Sequence, residues 1–445
     1  MAYKDLTPVI NTDSPYLTEA AMHADQANQL QGYGYLVDGV GAFTYLGTVA
    51  GTAADYEGFG GGTGLDLRAS NLAGDLSVGE QNDIKEKLSI QIDSNFRPFI
   101  TKWNITSGDV IEIPSQTTIN VNFFRIEWGD GTIENYTGAI PCTHTYNTTG
   151  EFIVKIYGAL GVFTFSGTPT SAAKITEIVQ WGDVEWGDID FKNCINLSTL
   201  PNESPDFLKT TSLSILFRNC NLSTIPSELL KKAVIVTSLK YAFRDNVITI
   251  LPSDLLDNCV NVTDYQSAFR GNLLTSLPIG LFKKSYSAVS FQQTFLYNQI
   301  TVVQANTFDN CISAVSFYQT FGGNQIATIE EGLFDDCTAA KDFTYTFKDN
   351  FIETLPENLF FYTIFATKFE STFTNNKLTG IPLRLFEFTP RVRTFYEIFR
   401  YNEATLTGIV PELWLKFTDA NITTSGAFAL ATDITNYADI PATWK

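Results

Sequence analysis

The chain is poor in the side chains from which reaction centres are built. It has two histidines in 445 residues, His23 and His144, so no Ser-His-Asp or Cys-His arrangement can form in its C-terminal half. Six cysteines occur without a CxxC pair or a Cys/His cluster, so nothing in their spacing suggests zinc. Basic residues are also scarce: 29 Lys and Arg stand against 48 Asp and Glu, for a net charge of −19. Nucleic-acid binding needs a basic face to displace phosphate counterions, so that partner is excluded. The longest strongly apolar run, residues 359–365, is too short to cross a bilayer, and no membrane insertion is expected. The glycine-rich 60–64 lacks the Lys-Ser/Thr of a phosphate loop. Carboxylates are plentiful but scattered at turns (Asp245, Asp309, Asp335, Asp336 and Asp349), and no spacing pairs them as a glycosidase requires. The expectation is a protein that is not an enzyme and needs no cofactor, its acidic surface allowing at most weak Ca²⁺ binding.

What is present is a period. Phenylalanine recurs every 26 residues at Phe191, Phe217, Phe243, Phe269, Phe295, Phe321, Phe347, Phe373 and Phe399, and Phe428 follows after three more. Counted from the residue three after each phenylalanine, apolar side chains fall at +2, +5, +9, +10, +13, +19 and +23. From Asn298 these include Ile300, Val303, Phe308, Cys311, Phe317 and Phe321. Proline fills +6 at Pro226, Pro252, Pro278, Pro356 and Pro382, where a fixed φ and a missing N–H suit the first residue of a helical turn. Self-similarity of this length means stacked units that bury their apolar faces only against one another. Each unit reads as a strand, a tight bend and one helical turn. With 44% apolar residues the chain has ample material for such a core.

These residues resemble the leucine-rich repeat, whose LxxLxLxxNxLxxLPxxLFxxL pattern matches from the asparagine through +13; the unit here carries two extra residues after +16. The resemblance implies a structural ladder at Cys194, Cys220, Asn246, Asn272, Asn298, Asn324, Asn350, Asn376 and Asn402. There a side chain satisfies backbone groups of neighbouring coils. Cys259, Cys311 and Cys337 occupy the apolar +13 position, so these five cysteines are expected to be buried free thiols.

Upstream the character changes. Residues 1–93 read as a helix over 14–30, glycine-punctuated strands such as the one at Phe43, and a second helix from about Ser77 through Lys87. Too small for a large core, this segment is similar to the N-terminal attachment region of bacteriophage fibres and spikes. Residues 94–172 carry Ile126-Glu-Trp-Gly-Asp-Gly-Thr132 and then His144-Thr-Tyr146, with Phe152, Val154 and Ile156 alternating behind. They resemble the PKD domain, which implies a small immunoglobulin-like β-sandwich. Residues 173–445 hold the repeats, with Trp181 and Trp186 expected to cap one end and 422–444 the other. The fold class is thus mainly β with short helical turns: attachment region, sandwich, leucine-rich repeat solenoid. The order of sandwich, tryptophan-rich junction and repeats is also similar to BspA-like bacterial surface proteins.

The repeats offer one face. Positions +20 and +21 supply Tyr241, Gln266, Gln292, Gln293, Tyr318, Gln319, Tyr345 and Tyr396, and beside the ladder lie Arg244, Arg270, Tyr297, Arg400 and Tyr401. Tyrosines among amides combine flat apolar surface with directional hydrogen bonds, which suits a sugar ring or a protein epitope; a solvated strand face is the plain alternative. The phage resemblance implies a virion fibre or spike that docks on a virion structural protein through residues 1–93. It also implies a bacterial surface glycan or protein bound through the repeats, and a homo-oligomer, by analogy a trimer. The alternative is a BspA-like adhesin. The first eight residues carry no apolar h-region of a secretory signal, which favours synthesis in the cytoplasm and a place on the virion surface.

Overall fold

The computed structural model describes residues 96–445 apart from 117–122, 138–141, 159–160, 185, 403–404 and 430. It also places three strands upstream: β1 (Tyr35–Val37), β2 (Ala42–Tyr45) and β3 (Tyr56–Phe59), antiparallel in sequence order. The helices expected over 14–30 and near 77–87, and the docking role given to 1–93, lie outside the described residues.

Two sheets and a separate two-stranded pair follow. In the first, β12 (Ile175–Gln180), β4 (Phe99–Ile105), β10 (Gly150–Gly158), β7 (Phe123–Glu127) and β8 (Ile133–Thr137) lie side by side, all antiparallel. In the second, β11 (Gly161–Thr164) lies between β6 (Ser115–Gln116) and β13 (Trp186–Asp190), while β5 (Val110–Ile113) pairs with β9 (Cys142–Thr145). The sheets meet through Phe99, whose ring lies 5.5 Å from Phe163 and 5.0 Å from Trp186. The Trp-Gly-Asp-Gly stretch forms the β7–β8 turn. Trp128 is buried and stacked at 4.9 Å on His144, which bonds Asp130 at 2.7 Å, and the Tyr146 hydroxyl donates to the Trp128 carbonyl at 2.8 Å. The first sheet runs past residue 172, because β12 pairs with β4.

One ion pair here sets an acid limit. The Asp109 carboxylate accepts from Lys174 Nζ at 2.6 Å and from the Thr106 N–H at 2.7 Å, and these two donors hold its pKa below the ordinary carboxylate value. The folded state therefore gains stability that is complete above the unfolded value near 4 and is lost as pH falls through the lower folded one. Asp109→Asn is expected to flatten the acid limb of a stability-against-pH curve and to leave the region above pH 6 parallel to wild type.

The coil stack grows from this sheet without a linker. Glu177 of β12 bridges Thr199 in parallel, and the Ile178 N–H reaches the Thr199 carbonyl at 3.0 Å. Trp181 and Trp186 are buried at the joint, with Trp181 5.9 Å from Phe191 and 6.4 Å from Phe217. Gly182 is left-handed at φ +69°, and a Cβ there would stand 2.3 Å from the Arg97 carbonyl oxygen, so only glycine fits this crossing.

From Phe191 to Phe428 the phenylalanines form one column of ten rings, each 5.4–6.0 Å from the next and within 29° of parallel. A second column runs Tyr265, Phe291, Phe317, Phe343, Phe369, Phe395, and a third Phe282, Phe308, Phe334, Phe360, Phe386. All of these rings are buried. At the far end Trp444 closes the stack against Phe395 at 5.6 Å and Phe428 at 6.4 Å.

The backbone departs from the expected strand. Among the described repeats, strand pairing is confined to β14 (Val302–Val303), β15 (Thr328–Ile329) and single bridges such as Ser290 to Ser316. Where +19 to +25 suggests alternation, the chain makes successive tight turns. In one coil the N–H groups of Leu239, Tyr241, Phe243 and Asp245 donate to carbonyls of the next coil, while those of Ala242 and Arg244 turn back to Leu239 and Tyr241. Tyr241, the third residue of the turn closed by Ala242, is left-handed at φ 59°, as that position of a type II turn must be, and Asp245 before the ladder is left-handed at φ 56°. The Lys240 N–H bonds the Ser238 hydroxyl at 3.3 Å, so every backbone donor from Leu239 to Asp245 is used, in a form that is part ladder and part turn. Each proline at +6 opens a single turn, as where the Leu281 N–H bonds the Pro278 carbonyl at 3.2 Å.

The ladder side chains satisfy what remains. Asn298 Nδ2 donates to the Phe269 carbonyl of the preceding coil at 3.0 Å and to its own Phe295 carbonyl at 3.1 Å, while Oδ1 accepts from the Leu274 N–H at 3.1 Å. The same set recurs at Asn246, Asn272, Asn324, Asn350, Asn376 and Asn402. Cys220 gives only the thiol bond to the Phe191 carbonyl, at 3.1 Å. All six cysteines are buried, and Cys194, Cys220, Cys259, Cys311 and Cys337 of the repeats are free thiols. A second, unexpected ladder lies at +22, where the hydroxyls of Thr294, Thr320, Thr346 and Thr372 each bond a carbonyl one coil back.

Candidate functional site

The turns that break the strand also shape the face. Left-handed residues fall at +21 and at +25, the residue before the ladder, so side chains from both positions emerge beside those at +20 and +24. Asn, Asp and Gly tolerate this conformation; large side chains do so at a cost. At +25 the chain places Asn193, Asn219, Asp245, Gly271, Gly323, Asp349 and Asn375, but also Tyr297 and Tyr401; at +21 it places Tyr241, Gln293, Gln319, Tyr345 and Glu397. Nine coil steps of 5.4–6.0 Å make the face roughly 50 Å long.

The named residues gather in four neighbourhoods. At the first, Tyr241 is approached by Arg244 Cζ at 5.5 Å, Lys240 Nζ at 5.2 Å and Arg218 Cζ at 5.7 Å. At the second, Arg270 Nη1 and Ser267 Oγ both donate to Gln293 Oε1, at 3.0 and 3.1 Å, and Gln293 Nε2 passes the chain on to Gln319 Oε1 at 2.6 Å. Arg270 also lies 5.5 Å from the Tyr297 ring. That ring rests on Gly323, where a Cβ would stand 2.5 Å from Tyr297 Cδ1.

At the third, Tyr318 and Tyr345 meet edge to face at 5.7 Å, Lys348 Nζ lies 5.4 Å from the Tyr345 ring, and the Tyr345 hydroxyl donates to Glu370 Oε1 at 3.0 Å. Partial burial and then that carboxylate push the Tyr345 pKa up to about 12, so its proton stays in place. At the fourth, Arg400 pairs with Glu397 and lies 4.6 Å from the Tyr401 ring, and the bond to Glu397 raises the Tyr396 hydroxyl. Gln266 and Gln292 are half-buried between the groups; their backbone N–H groups bond Asp264 Oδ1 and Ser290 Oγ. The arrangement is a strip and not a cleft. Among the described residues, no three His, Cys, Asp or Glu converge as metal ligands would.

Sequence reading passed over Arg218, Lys240, Ser267, Lys348, Glu370 and Glu397. The repeat register could have found them, since each occupies +20, +21 or +24.

No family profile and no curated protein matches the sequence. Similar solved structures are a chain of the TLR13–ssRNA13 complex (13% identity, 56% of this chain, 35% of that chain, TM-score 0.31) and one of the octameric complex of Latrophilin 3, Unc5D and FLRT2 (15%, 44% and 62%, 0.30). A third is a chain of the Drosophila Toll–Spatzle complex (18%, 58% and 35%, 0.31). The chain spans 35–62% of the length of these three.

Proposed function

We propose that this chain is a bacteriophage fibre or spike protein that is not an enzyme. Residues 1–93 attach it to a virion structural protein, a small immunoglobulin-like domain of the PKD type acts as spacer, and a leucine-rich repeat solenoid carries the receptor-binding strip. The receptor is a glycan or protein of the bacterial surface, and the working form is a homo-oligomer, a trimer by analogy with other fibres.

The observation that carries the binding role is the backbone of the exposed tyrosines. Tyr297 and Tyr401 are 58% and 48% exposed, yet both are held left-handed where Asn or Gly would cost about 1–2 kcal/mol less. Core packing does not return that cost, and strain kept on a surface marks a place where the side chain serves contact. Tyr297→Asn is therefore expected to leave stability equal or higher, by about 1 kcal/mol, while adsorption to the host cell falls. Tyr318→Ala with Tyr345→Ala should weaken adsorption further, and unchanged adsorption in both variants removes the strip from the assignment. Electron micrographs of virions labelled on this chain test the attachment; label absent from the particle leaves the bacterial adhesin as the reading.

A further inference from the structure

We propose that the receptor is an acidic polysaccharide, seated by a cationic patch around Tyr241 at the sheet-proximal end of the strip; this rests on the receptor-binding reading above. Arg218, Lys240 and Arg244 crowd one ring within 5.7 Å, and Arg270 follows on the next coil. Backbone bonds hold them in register: the Asn219 N–H reaches the Arg244 carbonyl and the Asp245 N–H the Arg270 carbonyl, both at 2.8 Å. The nearby carboxylates are committed. Asp245 takes Arg244 Nε at 3.0 Å, and Asp264 takes the Gln266 N–H at 2.8 Å.

Arg218 and Lys240 have no ion pair or side-chain hydrogen bond among the described residues, and both are half-buried. Four cations against two carboxylates run counter to a chain with 48 acids and 29 bases. Like charges gathered on a half-buried surface oppose folding, and an anionic ligand relieves that repulsion. Toward the other end the +24 cations Lys348 and Arg400 are balanced in number by Glu370 at +20 and Glu397 at +21, so the cationic excess stays at the Tyr241 end. The strip is therefore polarised: anionic groups seat at the Tyr241 end, and the uncharged Gln and Tyr coils continue beyond it.

A sugar polymer fits better than a single compact anion because the contact positions recur on every coil. The Tyr241 and Tyr297 rings stand among the cations, offering a flat face for a sugar ring beside donors for its acid group. A carboxylate and a phosphate ester share this chemistry.

The test uses the full chain over immobilised polygalacturonate, poly(glycerol phosphate), neutral dextran and polyglutamate. Binding to one of the two acidic polymers is expected, the carboxylate or the phosphate arm identifying the acid, with dextran and polyglutamate at least about tenfold weaker. Arg218→Gln with Lys240→Gln, which breaks no ion pair, should lower that binding by about tenfold or more. Lys283→Gln with Lys284→Gln removes the same charge from the Asp257 site elsewhere on the stack and should change it by less than about twofold. Binding to neither acidic polymer, equal binding to polyglutamate, or equal losses in the two variants overturns the proposal. Cell adsorption separates this failure from the broader one. Adsorption that survives Arg218→Gln with Lys240→Gln but is lost in Tyr318→Ala with Tyr345→Ala overturns the acidic-polysaccharide assignment and leaves the receptor strip in place.

Discussion

Asn324→Ala is expected to lower the unfolding free energy by about 3–5 kcal/mol, with Asn324→Cys intermediate. The amide makes four bonds at a position only 6% exposed. Nδ2 donates to the Phe295, Phe321 and Gly322 carbonyls at 2.9, 3.0 and 3.3 Å, and Oδ1 accepts from the Ile300 N–H at 3.1 Å. Alanine does not injure these partners equally. The Phe295 and Phe321 carbonyls keep donors in Asn298 and Asn350, so their loss amounts to ordinary hydrogen bonds of about 1 kcal/mol each. The Ile300 N–H loses its acceptor inside the stack, which costs about 1–3 kcal/mol. Cysteine restores a donor but not the acceptor, as Cys220 does against the Phe191 carbonyl. Asn324→Asp should be no better than alanine, since it keeps the acceptor and points a carboxylate at carbonyl oxygens. Denaturant unfolding measures the order Asn, Cys, Ala; a loss under about 1 kcal/mol would mean that water replaces the amide.

How much of the molecule is legible in its sequence differs by layer. The ring columns and the amide ladder follow from the 26-residue period, because a side chain repeated at a fixed interval in stacked coils must meet its own copies. The turns were hidden by an apolar pattern. Phe291 and Phe295 sit four apart with Gln293 between them, which matches strand alternation, but two turns of the kind closed at Thr294 place the same rings inward. A signal was present at +25, where Asn193, Asn219, Asp245, Gly271, Gly323, Asp349 and Asn375 are residue types that accept positive φ. The threonine ladder was obscured because Ala242 and Ala268 hold the same position in earlier coils, so no single residue type marks it. For the strip, the tyrosines, the amides and the partners Arg244, Arg270 and Arg400 are legible in the sequence, whereas Arg218, Lys240, Ser267, Lys348, Glu370 and Glu397 were passed over. That Arg218 of one coil lies by Tyr241 of the next follows from a register of 25 residues between donor and acceptor, not the full period. The edge strand β12 was missed at the domain boundary because it pairs with β4, more than seventy residues earlier, and leaves no local trace.

Phe321→Ala should cost about 3–5 kcal/mol, and its consequence should be felt at a distance along the stack. The ring is fully buried, 5.6 Å from both Phe295 and Phe347 and 5.9 Å from Phe308 in the third column. Its neighbours cannot collapse into the gap, because the coil spacing is fixed by the hydrogen bonds of Phe295 N–H to Thr320 and Phe321 N–H to Thr346, both 2.9 Å. The cavity term is therefore retained in full, as it is wherever the surroundings are rigid. Each coil touches only its neighbours, so a weakened middle coil divides the cooperative unit into a sheet-anchored half and a Trp444-capped half. Hydrogen exchange should show protection falling first at the Phe321 coil and the C-terminal half opening ahead of the N-terminal one, whose first coil is bonded to β12. Phe428→Ala, at the end of the column against Trp444 and Trp414, removes an outer ring and should cost less while leaving the unfolding transition single. Equal costs at the two positions, or uniform loss of protection in Phe321→Ala, would mean that the column unfolds as one body and that coil-by-coil coupling does not govern its stability.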